Sequence, residues 1–130
     1  MMLLSCSAMP WPPRVLIVED ESIIALATKA NLKRMGCDVV ATVATGQLAV
    51  EYAVCKRPDV VLMDIMLEGN MDGIQAATII REKNPDLHII YCTAYTDSAT
   101  RTQAAQTNPK AFMAKPLDYG ALKEIIDELQ

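Results

Sequence analysis

Several residue types are scarce in this chain of 130 residues, and their scarcity excludes several classes of protein. There is one histidine, and the four cysteines, Cys6, Cys37, Cys55 and Cys92, lie far apart without the spacing of metal ligands. The apolar runs are all much shorter than the roughly 20 residues that a membrane-spanning helix needs. The 12 basic residues form no patch and are outnumbered by 16 acidic ones, so we expect neither nucleic-acid binding nor membrane insertion.

What remains is the composition of one globular domain. The chain is 52% hydrophobic and 22% charged, enough to build a single core at this length. Cys55 and Cys92 stand in apolar runs and are predicted to be small buried side chains, which suits a reducing cytoplasm. Residues 1–13 lack the basic start of a signal peptide and contain three prolines, so we predict a flexible leader at 1–13, with Trp11 packing on a domain at 14–130.

Four apolar runs each end at polar side chains. The run Val60–Met63 is continuous rather than alternating, as is typical of a strand buried on both faces, and Asp64 follows it. A carboxylate beside such a run needs solvent or a partner. The other runs end in the same way: Glu19 and Asp20 follow 15–18, Thr93 follows 87–92, and Lys115 follows 111–114.

Strand and helix patterns alternate along the chain, which predicts an α/β fold with a parallel sheet covered by helices on both faces. In such a doubly wound (βα)5 sheet, functional groups collect outside the carboxyl ends of the strands, so the polar side chains above should meet there. The strands are predicted at 15–18, 39–44, 60–63, 87–92 and 111–114. The helices are predicted to begin near 21, 46, 73, 97 and 118, and to end near 35, 57, 83, 106 and 129.

The helices differ in how much apolar surface they offer. The helix at 97–106 has only alanines to bury, so we expect loose packing. The first and last helices carry apolar residues at helical spacing, which predicts one buried face on each. Those faces are Ile23, Leu26, Ala27 and Ala30 on the first helix, and Leu122, Ile125, Ile126 and Leu129 on the last.

Three carboxylates at neighbouring strand ends repel one another, by roughly 4 kcal/mol for a pair at about 4 Å and an effective dielectric near 20. A cation removes that cost, and oxygen ligands that await a phosphate favour Mg²⁺ over Ca²⁺ or zinc. Lys115 and the hydroxyl of Thr93 could hold a phosphoryl group beside Asp64. The carboxylate of Asp64 would then be the nucleophile that attacks phosphorus.

This arrangement resembles a known family. Glu19-Asp20, Asp64, Thr93-Ala94 and Lys115-Pro116 occur in the order and at the intervals found in the receiver domains of two-component response regulators, and the resemblance covers about 14–130. It implies a flavodoxin-like fold with strand order 2-1-3-4-5. It also implies a signalling phosphoacceptor that catalyses only its own phosphorylation and dephosphorylation, rather than an enzyme acting on other substrates.

The resemblance also assigns roles at the site. It makes Asp64 the phosphorylated residue, Thr93 the ligand of a phosphoryl oxygen, and Lys115 the partner of the phosphate. It implies a cis peptide bond before Pro116. The Mg²⁺ ligands that it implies are Asp20 directly, Glu19 mainly through water, Asp64, and the backbone carbonyl of Met66.

The resemblance implies a switch with partners on both sides. Thr93 would move toward the phosphate and Phe112 would turn inward, and we expect Phe112 to lean inward even without phosphate because it lacks a hydroxyl. The donor would be a sensor histidine kinase or a phosphotransfer protein. A downstream protein would bind the face formed by helix 4, strand 5 and helix 5, and a phosphorylation-dependent homodimer is a further expectation.

Two features depart from the common pattern or modify it. Met66 and Tyr95 occupy the positions that tune hydrolysis in the family, and neither is an acid or an amide, so we predict a phosphoryl lifetime of minutes or more. The loop 67–71 is one residue longer than usual, and we expect Glu68 within it to be a solvated acid. His88 is expected at the surface or at a strand edge.

Two other functions remain open from the sequence. A pseudo-receiver would use the fold only as a protein-docking module and would not be phosphorylated. A phosphohydrolase of the haloacid-dehalogenase type would need a second acid where Met66 stands. The chain ends near the predicted end of the last helix, so we expect a stand-alone regulator or a receiver excised from a larger protein.

Overall fold

Five strands alternate with five helices in the computed structural model, which describes residues 9–94 and 97–129. The strands are β1 (Arg14–Val18), β2 (Asp38–Val43), β3 (Val60–Met63), β4 (His88–Thr93) and β5 (Ala111–Ala114). The helices are α1 (Ser22–Arg34), α2 (Gly46–Lys56), α3 (Gly73–Lys83), α4 (Ser98–Ala105) and α5 (Tyr119–Glu128). All neighbouring strands pair in parallel, in the order β2-β1-β3-β4-β5. The predicted (βα)5 flavodoxin-like fold is therefore confirmed.

The sheet separates two apolar clusters. Successive residues of β1 point to opposite faces, so Leu16 and Val18 join one cluster while Val15 and Ile17 join the other. The first cluster is covered by α2, α3 and Ala104 of α4, and the second by α1 and α5. Strand β3 is buried along its whole length, because helices cover both of its faces. This burial fixes the end of β3 from which Asp64 emerges.

Side-chain caps set where most of the helices begin. Thr45 accepts a hydrogen bond from the backbone N–H of the third residue of α2, and Asp97 and Asp118 do the same for α4 and α5. Asp72 and Gln75 form a reciprocal capping box at the start of α3. Such a cap stabilises a helix by about 1 kcal/mol. The prediction that Asp118 caps the last helix is confirmed.

The predicted buried face of α1 is wrong. Ile23 is 84% exposed and Leu26 is 70% exposed, while the helix buries Ala25, Thr28 and Leu32. The buried stripe contains a threonine because its hydroxyl bonds to the hydroxyl of Tyr119 on α5, at 3.1 Å. Apolar periodicity alone cannot choose between two arcs of one helix when a polar residue on the true inner arc has a buried partner.

The outcomes for the other packing predictions differ. Leu122, Ile126 and Leu129 are buried on α5 and Ile125 is partly buried, as predicted. Cys92 is buried as predicted, but the prediction for Cys55 is wrong, because it lies on the outer side of α2 and is exposed. An apolar run in the sequence does not exclude one position of a helix from facing solvent.

Part of the predicted leader packs on the domain. Met9 is buried in the second cluster, and its backbone N–H donates to the carbonyl of Leu129 at 3.2 Å. The ring of Trp11 lies over Gly36, whose φ of 91° ends α1 in the left-handed region. Residues 1–8 of the predicted leader lie outside the described residues. Among the described helices, none combines the length and apolar character that crossing a bilayer requires.

Candidate functional site

The carboxyl ends of four strands bring together the polar side chains that the sequence singles out. The ammonium of Lys115 after β5 donates to Asp64 Oδ2 after β3 at 2.8 Å. The same Nζ lies 2.5 Å from Glu19 Oε1 after β1. All three side chains are more than 90% buried, and Thr93 at the end of β4 is buried too. One buried cation thus bridges two carboxylates from separate strands.

Backbone hydrogen bonds hold these residues at one level. The sheet ladder continues one step past the strands, with Glu19 N–H donating to Val43 O at 2.9 Å and Asp64 N–H donating to Val18 O at 3.0 Å. Lys115 N–H donates to Thr93 O at 3.0 Å in the same way. The positions of the side chains therefore follow from the strand register rather than from flexible loops.

Gly73 allows α3 to begin directly against Asp64. A Cβ atom at position 73 would lie 2.0 Å from the carbonyl oxygen of Asp64 and 2.8 Å from Ile65 Cα. Gly73 N–H donates to Ile65 O at 2.9 Å, which closes this contact. The sequence predicts Gly73 as a helix start, but nothing in the sequence alone reveals this close approach.

Both carboxylate oxygens of Asp64 have partners. Oδ2 accepts from Lys115, and Oδ1 accepts from the backbone N–H of Met66 at 3.2 Å. Met66, two positions after Asp64, is 68% exposed. The Lys115–Pro116 peptide bond is cis, the isomer that the resemblance implies.

The electrostatics keep the charges at the centre of the site. Burial disfavours the ammonium of Lys115, but its hydrogen bonds to Asp64 and Glu19 outweigh burial and raise its pKa, so it stays charged at neutral pH. Burial raises the pKa of Glu19, although hydrogen bonds from Lys115 and from the Glu21 N–H oppose this. Burial also raises the pKa of nearby Cys92 to about 12, so this thiol is not a competing nucleophile.

The hydroxyl of Thr93 is a buried polar group without a hydrogen-bond partner among the described residues. Thr93 is 2% exposed, and its Oγ1 makes no hydrogen bond to any residue in the described part of the chain. An unsatisfied buried hydroxyl costs about 1–3 kcal/mol, so such groups call for an explanation. A phosphoryl oxygen bound at the neighbouring acid would accept this hydrogen bond.

The acids fit a hard divalent cation. Carboxylate oxygens of Glu19, Asp20 and Glu21 lie within 4.8 Å of one another, and they are buried, partly exposed and exposed respectively. Oxygen donors with open access to solvent suit Mg²⁺. Glu21 is absent from the ligands predicted from the sequence, although three consecutive acids were a visible signal. Asp64 is linked to this group through Lys115, which contacts both Asp64 and Glu19.

The longer loop after Met66 is tied to the loop before α2. Glu68 forms an isolated parallel bridge with Thr45, and Met71 packs against Gly46. The φ of 93° at Gly69 allows the turn between them. The Glu68 side chain is exposed, in keeping with the expectation of a solvated acid.

Phe112 of β5 lies between two elements at the edge of the site. Its ring is partly buried, with its centroid 5.7 Å from that of buried Tyr91 on β4. The guanidinium carbon of Arg101 on α4 lies 4.5 Å from the ring centroid. Neither neighbour is predictable from the sequence, because no motif marks it. Tyr95, to which a role in phosphoryl lifetime is assigned above, lies outside the described residues.

Comparisons with known proteins agree with this geometry. The model of the response regulator receiver domain matches residues 15–127. The chain is 34% identical over 115 residues to the chemotaxis protein CheY of Bacillus subtilis, which covers 88% of this chain and 95% of that protein. It is also 34% identical over 116 residues to the transcriptional regulatory protein PdtaR of Mycobacterium tuberculosis, covering 89% of this chain. The chain spans only 56% of the length of PdtaR.

Solved structures show the same fold. The signal receiver domain of a modulated diguanylate cyclase from Desulfovibrio desulfuricans superposes with a TM-score of 0.83 at 36% identity, over 90% of this chain and 92% of that one. A CheY-like receiver domain from Methanospirillum hungatei gives 0.83 at 26% identity, over 89% and 91%. The matched residues, the strand order and the polar side chains at the strand ends agree, and the chain belongs to the response regulator receiver domain family of two-component signalling.

Proposed function

We propose that Asp64 of this receiver domain accepts a phosphoryl group from a phosphohistidine on a sensor histidine kinase or a phosphotransfer protein. The observation that carries the proposal is the buried ammonium of Lys115, held 2.8 Å from the Asp64 carboxylate. In the step, an Asp64 oxygen bonds to phosphorus while the bond from phosphorus to the donor imidazole nitrogen breaks. That nitrogen keeps the electron pair, and the imidazole is protonated from solvent.

Two residues, Lys115 and Thr93, support this chemistry at Asp64. Lys115 already contacts the acceptor and would pair with an oxygen of the transferred group as it arrives. The hydroxyl of Thr93, which has no partner within 9–94 and 97–129, would donate to a second oxygen. The burial of these groups strengthens both interactions, because the local dielectric is lower than that of water.

The same site would hold Mg²⁺. Asp20, Asp64 and the Met66 carbonyl would be its protein ligands, with Glu19 mainly acting through water. The bound ion would supply charge neutralisation for the oxygens of the phosphoryl group. The grouped carboxylates of Glu19 and Asp20 support this assignment, since they would otherwise repel one another at the site.

The exposed apolar surface beside the acids supports a protein as donor. Ile23 and Leu26 lie on the first two turns of α1, which begins immediately after Glu21, and both side chains face solvent. Large exposed apolar side chains next to a reactive group mark contact sites for proteins rather than for small ions. We infer that the donor protein covers these two residues during transfer.

Phosphorylation would change partner binding at the surface formed by α4, β5 and α5. Phosphorylation would move Thr93 and bias the position of Phe112, which packs beside α4. A downstream protein, or a second copy of the chain, would bind the altered face. Met66 beside the acid, together with Tyr95, would slow attack by water, so the phosphoryl group would last minutes or more. A half-life of a few seconds at neutral pH would overturn this last point.

The central experiment measures phosphoryl transfer. The purified protein is incubated with Mg²⁺ and a radiolabelled phosphohistidine donor, and we expect one label per chain, which Asp64→Asn abolishes. Asp86→Asn, a change of the same chemistry in an exposed turn, should leave labelling unchanged. Absence of label in the unaltered protein, combined with intact partner binding, would instead identify a docking module that is not phosphorylated.

A further inference from the structure

Helix α4 packs against the rest of the domain through very little buried surface. It has eight residues, and Ala104 is the one that it buries. A groove of about 480 Å³ separates it from α3. The groove is lined by polar side chains from both helices, including Gln75 and Thr78 on α3 and Gln103 on α4. Apolar packing therefore does not fix the position of α4, and side-chain contacts at its two ends must do so.

The contact at the C-terminal end of α4 is buried and made of several hydrogen bonds. The hydroxyls of Thr107 and Tyr91 lie 2.7 Å apart, and Thr107 also donates to the carbonyl of Ala104 at 2.6 Å. Arg81 of α3 donates to the carbonyl of Thr107 at 3.0 Å and to that of Leu87 at 2.6 Å. These bonds join the end of α4 to both α3 and β4.

The contact nearer the N-terminal end is of a different kind. The guanidinium carbon of Arg101, an exposed residue, lies 4.5 Å from the ring centroid of Phe112. The same ring packs on Tyr91 with centroids 5.7 Å apart. A cation over an aromatic face at an exposed site is a weak attraction that can form and break easily. Arg101 thus links α4 to β5 by one reversible interaction.

We propose that Arg101 holds α4 against Phe112 in the unphosphorylated protein and releases it when Asp64 is phosphorylated, with the Thr107–Tyr91 pair as the fixed pivot. Thr93 stands five positions before the first residue of α4. Its movement toward a phosphoryl oxygen would therefore pull the first turn of the helix in the same direction. The groove beside α3 gives the helix room to move. The coupling to phosphorylation rests on the function proposed above.

The proposal has a thermodynamic consequence. A contact made only in the unphosphorylated arrangement stabilises that arrangement and opposes any ligand that favours the other. Removing the contact should therefore tighten the binding of a phosphoryl mimic. The expected change is about two- to fivefold, the range of an exposed cation–π interaction.

The test is calorimetric titration of the full chain with beryllofluoride in the presence of Mg²⁺. We expect Arg101→Met to bind about two- to fivefold more tightly than the unaltered protein, and Arg101→Lys to lie between them. Arg34→Met, which removes an exposed arginine whose side-chain bond is to Asn31 on its own helix, should change nothing. In the Phe112→Leu background, Arg101→Met should have no further effect, since the ring is gone.

Amide hydrogen exchange without any ligand tests the contact separately. Arg101→Met should speed exchange in 98–105 while leaving β1 and β3 unchanged. Unchanged exchange in that segment, or equal or weaker beryllofluoride binding by Arg101→Met, would overturn the proposal. If no form of the protein binds beryllofluoride, the phosphoacceptor function fails, while faster exchange in 98–105 would still support Arg101 as the contact that holds α4.

Discussion

Helices α1 and α4 both begin beside the site, yet they are held in different ways. Helix α1 has 13 residues and buries Ala25, Thr28 and Leu32. Helix α4 has eight and buries Ala104 alone. Their outer surfaces differ in the opposite sense, because α1 exposes Ile23 and Leu26 whereas the exposed residues of α4 are small or polar.

The difference separates two requirements of a receiver domain. If a donor protein phosphorylates Asp64, as proposed, it must find that residue in a constant place, so the surface around the acids needs a firm base and an apolar contact area. An output element must change position for a small free-energy input, so its own packing must be weak. Under the function proposed above, the first requirement would fall to α1 and the second to α4.

Substitution of Gly73, which lies directly against Asp64, should have the largest effect of the changes considered. Gly73→Ala places a methyl group where the Asp64 carbonyl lies 2.0 Å away, so α3 or the end of β3 must shift. We expect a loss of about 1–3 kcal/mol in the free energy of unfolding, as for overpacked cores. We also expect at least a tenfold fall in phosphoryl incorporation. Urea unfolding and radiolabelling measure the two effects.

Gly120→Ala on α5 is the matched control for Gly73→Ala. Its added Cβ would lie 3.3 Å from Oδ1 of Asp118, a tight contact that a shift of a few tenths of an ångström in that side chain would relieve. Alanine gains up to about 1 kcal/mol over glycine within a helix, so the net change in unfolding free energy should be small. Equal destabilisation by both substitutions would show that Gly73 is needed only as a helix start.

The exposed apolar residues of α1 give the next largest effect. Replacing both Ile23 and Leu26 by glutamine should slow transfer from a protein donor about tenfold, since a few apolar residues commonly dominate a contact. Labelling by a small phosphodonor such as acetyl phosphate should not change, and neither should stability, because both side chains face solvent. Val54→Gln, at a half-exposed position on α2, is the control. Equal slowing with both donors would place these residues in the chemistry rather than in docking.

A substitution in the Thr107–Tyr91 pair at the end of α4 should have a smaller and more local effect on stability. Tyr91→Phe removes the hydroxyl bonded to Thr107, which still donates to the Ala104 carbonyl. The expected loss is about 1 kcal/mol in the free energy of unfolding. Hydrogen exchange should quicken in 98–107 but not in α1. Equal quickening in both helices would contradict the separation between them.

The sequence predicts the strands, and the meeting of polar side chains at their ends, because both depend on short-range patterns. Continuous apolar runs such as Val60–Met63 mark buried strands, and parallel register then places Asp64 and Lys115 at one edge without further information. The order of the strands came from the resemblance, and it is confirmed. The wrong face of α1 shows the limit, since the partner that buries Thr28 is Tyr119, 91 residues away.

Contacts between distant residues account for what the sequence did not reveal at the site. The clearance at Gly73 depends on how α3 meets Asp64 in space. The sequence around Arg101 and Phe112 gives no sign that the two side chains meet. Single acids, hydroxyls and lysines at strand ends are visible in a sequence, whereas the packing that supports them is not.

The smallest expected effect concerns the free-energy cost of burying the carboxylate of Glu19 beside α1. Burial, opposed by bonds from Lys115 and the Glu21 N–H, leaves the pKa of Glu19 raised above 4.5. The folded state therefore binds a proton at a higher pH than the unfolded state does, and unfolding free energy falls as pH rises from 4.5 through the folded pKa.

Glu19→Gln mimics the neutral acid, so it should raise the Tm by a few degrees at pH 7. The gain should vanish below pH 4.5, where the carboxyl is protonated in both states. Asp86→Asn, in an exposed turn, should show no such dependence. A lower Tm for Glu19→Gln at pH 7 would mean that the ion pair with Lys115 stabilises the fold by more than the burial of the acid costs.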